Sequence, residues 1–259
     1  MIAEAGGVRI AWEEHGEGPA LLLIHGLGYG RWGWGPVVAP LAERFRVLLF
    51  DNRGIGASDK PAGPYSASVL AGDAAAVLDA AGVTRAHVVG TSLGGMVAQA
   101  LAVERAARVE RLVLACTTPG GAEAFPFPEQ TVRLMAEAAQ MEPLVALRRF
   151  VENALAPGAP ESLVDEIVEL RQANPPDPAG WAAQAAAAAS FDGSARLAEI
   201  VAPTLVLHGD ADQVVDVRNA ELLAARIPGA RAERFAGAGH LFFWEQPERF
   251  VAAVTEFLA

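Results

Sequence analysis

The chain has 259 residues, of which 52% are hydrophobic and 20% are charged, a composition that excludes an intrinsically disordered protein. The 20 lysines and arginines stand against 31 aspartates and glutamates, and the net charge of −11 argues against a nucleic-acid partner. The single cysteine, Cys116, excludes an internal disulfide bond and a cluster of thiolates around a metal ion.

The start of the chain carries no recognisable targeting signal. Residues 1–10 lack the basic segment followed by an apolar segment that marks a secretory signal. The apolar run Ala20–Ile24 is too short to cross a bilayer. We therefore expect a cytoplasmic protein without a membrane partner, and a homo-oligomer is compatible with the sequence.

Short apolar runs alternate with longer amphipathic or alanine-rich stretches, and this alternation predicts an α/β fold with a buried, mostly parallel sheet. The opening pair, Val8–Glu13 and Ala20–Ile24, predicts an antiparallel hairpin that leads into the sheet. The predicted strands are Ala20–Ile24, Arg46–Phe50, Ala86–Val89, Arg111–Ala115, Thr204–Leu207 and Arg231–Phe235. The predicted helices are Pro36–Arg44, Ala67–Ala81, Leu93–Glu104, Val217–Ala225 and Pro247–Leu258.

The alternation breaks between Thr118 and about Ile200. This stretch contains no convincing strand and reads as four short helices separated by prolines. A helical insertion between two strands of the core should cover one end of the sheet. We therefore predict a core of residues 1–118 and 200–259 and a helical cap of residues 119–199.

The segment Gly90-Thr91-Ser92-Leu93-Gly94 follows a predicted strand and precedes a predicted helix. This context is typical of the G-x-S-x-G turn, in which small neighbours allow a strained serine to project above the sheet as a nucleophile. Ser92 would be that nucleophile, and the Leu93 N–H at the start of the helix would stabilise an oxyanion. An ordinary glycine-rich turn gives the same pattern, so the five residues alone leave both interpretations open.

A serine nucleophile needs a base, and His240 is the preferred one among the five histidines. It lies in a glycine-rich loop before the apolar residues Leu241–Trp244, which favours a half-buried position. His25 and His208 each end a strand just before a glycine, and we interpret them as caps of backbone groups.

The base in turn needs an acid that orients it. Asp210 and Asp212 both follow the strand Thr204–Leu207 and compete for this role, although both also suit an ordinary loop. The chain order serine, aspartate, histidine is the order of α/β-hydrolases.

Two overlapping glycine-rich segments follow the strand Ala20–Ile24. In the first, His25-Gly26-Leu27-Gly28, the Leu27 N–H would be a second oxyanion donor. The second, residues 28–33, matches the G-x-G-x-x-G pattern of a dinucleotide site with Asp51 beyond it. Three residues separate this pattern from the strand, and Pro36 and Pro40 weaken the following helix, so the nucleotide interpretation is disfavoured. Asp51 and Arg53 are expected to fix neighbouring loops.

Together these segments resemble the α/β-hydrolase superfamily over essentially the whole chain. The matching pieces are His25-Gly26-Leu27-Gly28, the run from Asp51 to Ser58, Gly90-Thr91-Ser92-Leu93-Gly94-Gly95, Gly209-Asp210-Ala211-Asp212, and Gly239-His240 with Glu245-Gln246-Pro247. Within the superfamily the chain looks most like small bacterial carboxylesterases and 3-oxoadipate enol-lactonases, and cofactor-free haloperoxidases and C–C bond hydrolases share the motifs. The resemblance implies Asp212 rather than Asp210 as the acid, acyl transfer to water, and neither a metal nor an organic cofactor. Ser92 argues against haloalkane dehalogenases and epoxide hydrolases, which carry aspartate there.

Four aromatic residues are candidates for substrate binding: Tyr29, Trp32, Phe125 and Trp181. An apolar pocket suits neutral esters of short or medium chain length, or a lactone. An anionic substrate would need a cation, for which Arg133, Arg148, Arg149 and Arg171 are candidates. We expect neutral esters to be preferred to dianionic lactones, because an unpaired buried carboxylate is costly. A nucleotide-binding protein and a non-catalytic receptor are the alternatives from other functional classes.

Overall fold

The structure, a computed structural model, describes all residues from 1 to 259. An eight-stranded sheet has the order β1-β2-β4-β3-β5-β6-β7-β8, and all of its pairings are parallel except those made by β2. The strands are β1 (Ile2–Ala5), β2 (Val8–His15), β3 (Ala20–Ile24), β4 (Arg46–Phe50), β5 (Ala86–Thr91), β6 (Val109–Ala115), β7 (Thr204–Gly209) and β8 (Arg231–Phe235).

Ten helices accompany the sheet. They are α1 (Gly35–Ala42), α2 (Ala67–Ala80), α3 (Leu93–Glu104), α4 (Glu129–Ala138), α5 (Pro143–Ala154), α6 (Glu161–Ala173), α7 (Pro178–Ala189), α8 (Arg218–Arg226), α9 (Phe242–Glu245) and α10 (Pro247–Leu258). None of them is long and apolar enough to cross a membrane.

Alternate residues of the central strands pack into two separate cores, because successive side chains of a strand point to opposite faces. Leu22 of β3 packs on the side of α2 and α3, whereas Leu21 and Leu23 pack on the side of α1 and α10. Both faces of the sheet are therefore buried, which explains why the central strands are apolar without alternation. The predicted α/β-hydrolase fold with a mostly parallel sheet is confirmed.

The predicted hairpin of Val8–Glu13 with Ala20–Ile24 is wrong. β2 pairs with β1 on one side and with β4 on the other, so β4 lies between β2 and β3. The hairpin that forms joins β1 to β2 through Gly6 and Gly7, both at positive φ, as a two-residue turn requires. The glycines before β3 instead carry the chain past the end of α1, where Gly16 touches the carbonyl of Ala42.

Helices α4 to α7 lie between β6 and β7. α7 rests directly on the loop after β4, where Gly180 and Gly54 are in backbone contact and neither position has room for a Cβ atom. The end of α5 meets the loop that carries His240, since Leu241 N–H donates to the Ala154 carbonyl at 2.9 Å. The division into a core and a cap at residues 119–199 stays a prediction.

Candidate active site

Ser92 sits in the sharp turn between β5 and α3 with φ 54° and ψ −121°, a conformation that costs a residue with a side chain about 1–3 kcal/mol. The turn is held on both sides: Ser92 N–H donates to the Ala115 carbonyl at 2.9 Å, and the Thr117 hydroxyl donates to the Ser92 carbonyl at 2.7 Å. A Cβ at Gly94 would collide with the Ile24 carbonyl. The local sequence therefore forces the strained serine that the motif predicts.

The two predicted backbone donors, Leu27 and Leu93, belong to chain segments next to this serine. Leu93 is the first residue of α3, and the first N–H groups of a helix have no acceptor within the helix. The loop after β3, which we call the oxyanion loop (His25–Tyr29), passes close to Ser92, because a Cβ at Gly26 would lie 3.0 Å from the Ser92 Cβ and 3.6 Å from its Oγ. Leu27 follows directly in this loop and is half-buried.

The structure places Asp212, and not Asp210, against His240. The His240 Nδ1 lies 2.8 Å from Asp212 Oδ2, and both side chains are buried. Asp210 is exposed and accepts from Gly237 N–H at 2.7 Å. The imidazole thus directs Nδ1 to the carboxylate, which leaves Nε2 without a hydrogen-bond partner. The Ser92 hydroxyl and His240 make no hydrogen bond with each other.

Asp212 is held as an ionised carboxylate. Its Oδ1 accepts from Val214 N–H at 2.7 Å and from Val215 N–H at 2.9 Å. Burial alone would raise the pKa of Asp212, but the charge of His240 and the hydrogen bonds of two imidazoles outweigh burial and place the pKa well below its usual range.

The second imidazole belongs to His208, and sequence reasoning missed its contact with the acid. His208 is fully buried, and its Nε2 lies 3.0 Å from both Asp212 Oδ2 and the Val215 carbonyl. The interpretation of His208 as a backbone cap covers only the second contact. The spacing His-Gly-x-x-Asp was the available signal, because it places both residues at one strand end.

His25, the first residue of the oxyanion loop, is buried and neutral. Burial lowers the pKa of His25 to about 3. Its Nδ1 accepts from Gly26 N–H at 2.7 Å, as expected of a strand-end cap, and its ring stacks on Tyr29 at 4.7 Å between centroids. The fully buried Trp34 meets the same ring edge-on at 4.8 Å.

The candidate substrate residues occupy three different places. Trp181 and Tyr29 lie at the oxyanion loop: a Cβ at Gly28 would be 2.8 Å from the Trp181 indole. Trp32 leans on Tyr29 at 5.0 Å and lines a cavity of about 500 Å³ on the outer side of the loop. Phe125 packs against the start of α8: the guanidinium carbon of Arg218 lies 4.2 Å from the centre of the Phe125 ring.

Three of the four candidate arginines form ion pairs within α4, α5 and α6. Arg133 pairs with Glu129, Arg149 with Glu137, and Arg148 with three carboxylates. Arg171 pairs with no carboxylate; its Nη1 donates to the Gly28 carbonyl at 3.2 Å, and its guanidinium carbon lies 4.6 Å from the centre of the Tyr29 ring. Arg171 therefore brings an unneutralised positive charge to the oxyanion loop.

In the charged segment after β4, Asp51 braces loops as expected, whereas Arg53 binds a helix. Asp51 accepts from Arg31 N–H at 2.8 Å and from Ala57 N–H at 2.9 Å. Arg53 forms a bidentate ion pair with the fully buried Asp73 of α2.

No group of three or more histidine, cysteine, aspartate or glutamate side chains is arranged to hold a metal ion.

Residues 19–247 match the model of a protein family that is described as the alpha/beta hydrolase fold. The chain belongs to the α/β-hydrolase family. This α/β-hydrolase is similar to the enol-lactonase of Burkholderia xenovorans LB400, with 29% identity, a TM-score of 0.87 and coverage of 100% of this chain and 99% of that one. It is also similar to an esterase of Exiguobacterium antarcticum, with 26% identity, a TM-score of 0.89 and coverage of 99% and 98%. A 2-hydroxy-6-oxo-6-phenylhexa-2,4-dienoate hydrolase of Comamonas testosteroni is 32% identical over 96% of this chain and 91% of its own length.

Proposed function

We propose that this α/β-hydrolase is a serine hydrolase that cleaves carboxylic esters through an acyl-enzyme. The observation that carries the proposal is a strained serine at the strand-to-helix turn together with a buried histidine hydrogen-bonded to a buried aspartate, Ser92 with His240 and Asp212. This set of groups supplies a nucleophile, a base and an orienting acid.

The reaction proceeds in two halves. Ser92 Oγ attacks the ester carbonyl while His240 Nε2 takes the proton of the Ser92 hydroxyl. The same imidazole then gives this proton to the departing alcohol. Water then attacks the acyl-enzyme with His240 as base, which releases the carboxylic acid and restores the serine. Asp212 keeps the proton of the neutral imidazole on Nδ1, and the N–H groups of Leu27 and Leu93 bind the oxyanion of each tetrahedral intermediate.

Neutral esters of short or medium acyl chains are the proposed substrates, acted on in the cytoplasm. The aromatic side chains at the oxyanion loop, Trp181 and Tyr29, support an apolar acyl site. The similarity to a bacterial esterase supports the same reaction class.

Ser92→Ala tests the proposal. The control is Ser190→Ala, at the serine that directly follows α7. We expect the Ser92 variant to fold and to lose several orders of magnitude in kcat on p-nitrophenyl butyrate, because members of a triad act as a unit. A fluorophosphonate probe should label wild type and Ser190→Ala but not Ser92→Ala, as read by intact mass. Unchanged turnover in Ser92→Ala would refute the serine mechanism.

The second candidate is hydrolysis of a substrate that carries a carboxylate, either an enol-lactone or the dienoate substrate of a C–C hydrolase. Arg171 favours it, because its guanidinium has no carboxylate partner and lies at the oxyanion loop. Enol-lactonase and dienoate hydrolase are also the names of two similar proteins.

The ratio of kcat/KM for 3-oxoadipate enol-lactone to that for p-nitrophenyl butyrate decides between the candidates. A ratio above one that falls at least tenfold in Arg171→Met, but not in the matched variant Arg149→Met, would establish the anionic substrate. A ratio below one in the wild type would retain the neutral ester.

A further inference from the structure

Three side chains of α6 and α7 contact Gly28, the residue after Leu27 in the oxyanion loop. The Gln184 Oε1 accepts from Gly28 N–H at 3.1 Å, and the Arg171 Nη1 donates to the Gly28 carbonyl at 3.2 Å. The Trp181 indole covers the Gly28 Cα and leaves no room for a Cβ. We call Arg171, Trp181 and Gln184 the Gly28 clamp.

Gln184 is anchored at its other end to a rigid part of the core. It is fully buried, and its Nε2 donates to the Arg53 carbonyl at 2.8 Å. The Arg53 side chain is itself fixed by its ion pair with Asp73, and the neighbouring Gly54 is in backbone contact with α7. A buried amide with both ends bonded in this way holds its partners in one arrangement.

Gly28, which the clamp contacts, belongs to a tight turn that also contains Leu27. Tyr29 N–H donates to the Gly26 carbonyl at 3.3 Å, and Gly28 has φ 72° whereas Leu27 does not have a positive φ. These are the features of a type II turn with Gly26 at its first position. The peptide between Gly26 and Leu27 carries both that carbonyl and the Leu27 N–H, so one long hydrogen bond within the turn orients the donor.

We propose that Gln184 is a positioning residue that fixes the direction of the Leu27 N–H, so that the oxyanion hole is complete only when α7 is docked. The inference rests on the proposed function, in which Leu27 is an oxyanion donor. Loss of the Gln184 bonds frees the Gly28 peptide and with it the turn. Removal of one oxyanion donor costs about 10²–10³ in kcat, and a displaced donor should cost part of that.

Gln184→Met tests the proposal, because methionine has nearly the same length and makes neither hydrogen bond. The control is Asn153→Ala, which removes another buried amide whose partners, Thr131 and Gln130, both lie in α4. For each variant we would measure the Tm, kcat and KM on p-nitrophenyl butyrate, and the Ki of an aryl trifluoromethyl ketone. Ser92 Oγ adds to the carbonyl carbon of this inhibitor and His240 takes the proton, which leaves the former carbonyl oxygen as an oxyanion.

We expect Gln184→Met to lower kcat by about 10- to 100-fold with KM within twofold, and to raise the Ki of the ketone by the same factor as the fall in kcat. Asn153→Ala should lower the Tm comparably and keep kcat and Ki within twofold. A folded Gln184→Met with unchanged kcat and Ki would refute the proposal, and so would equal losses in both variants.

If Gln184→Met does not fold, Arg171→Met decides, because it removes the other hydrogen bond to Gly28 from a half-buried side chain. A fall in kcat of at least threefold on the neutral ester, with a matching rise in Ki, supports the clamp, and no change refutes it. Failure of the proposed function looks different: the wild type would then neither hydrolyse esters nor bind the ketone.

Discussion

Asp212→Asn, with Asp210→Asn as its matched control, tests how the acid works. Asp212 accepts from Val214 and Val215 N–H through Oδ1 and contacts the imidazoles of His240 and His208 through Oδ2. Asp210 is exposed and binds only a backbone N–H. The two substitutions are chemically identical and two positions apart, so a difference between them reports on the imidazole contact.

The magnitude follows from the direction in which the new amide must face. An asparagine that keeps its oxygen on Val214 and Val215 turns its NH2 group toward the two imidazoles. The His240 Nδ1 must then accept, so the ring proton moves to Nε2, and Nε2 can no longer take the proton of Ser92. A wrong tautomer of this kind costs about four orders of magnitude in kcat, or about 5.5 kcal/mol of transition-state stabilisation.

The assay is steady-state hydrolysis of p-nitrophenyl butyrate at pH 7, with the Tm of both variants as a check on folding. We expect Asp210→Asn to keep kcat within a few-fold of the wild type. If Asp210→Asn were the more damaging change, or if Asp212→Asn kept a tenth of the wild-type kcat, the assignment of the acid would be wrong.

Two further predictions concern two other buried histidines, His208 and His25. His208→Leu should lower kcat about 10- to 100-fold, because a hydrogen bond to a charged group contributes about 1.5–3 kcal/mol. His208→Gln retains an N–H near Asp212 and should lower kcat less. Equal falls in kcat in the two variants would contradict a donor role for His208. The free energy of unfolding should fall as the pH is lowered from 6.5 toward 3, since His25 is protonated in the unfolded chain at its ordinary pKa of 6.5 but in the folded chain only at a pKa of about 3. Urea titrations should show that the free energy of unfolding rises between pH 5 and pH 7 by about 2 kcal/mol less in His25→Asn than in the wild type, and an equal rise in both would refute the account.

Local patterns predicted the elements of this fold because each pattern reports a local cause. The apolar run Ala86–Val89 and the glycines around Ser92 predict a buried strand and a sharp turn, and both are present. The order of the strands depends instead on which edges meet after folding, so the insertion of β4 between β2 and β3 left no local signal. The strand Ile2–Ala5 gives no clear pattern because it has only four residues, of which two are exposed.

The contacts that complete the site also lie beyond local patterns. Gln184 sits in an alanine-rich helix, and nothing near it in sequence marks a contact with Gly28, 156 positions away. Arg148 and Arg171 are equivalent candidates by residue type. Glu152 lies one turn from Arg148 in α5, but the packing of α5 on α6 adds the carboxylates of Glu161 and Asp165. Arg171 has no carboxylate partner.

The backbone contact between Gly54 and Gly180 limits how this protein can evolve a new specificity. Each glycine fills the space that a methyl group on the other would need, so neither can change alone, and no second substitution restores the fit. A directed-evolution library should therefore keep both glycines and vary side chains that reach the site, such as Trp181. Among natural variants, new substrate ranges should arise through substitutions at other positions, while this pair of glycines and the place of α7 stay unchanged.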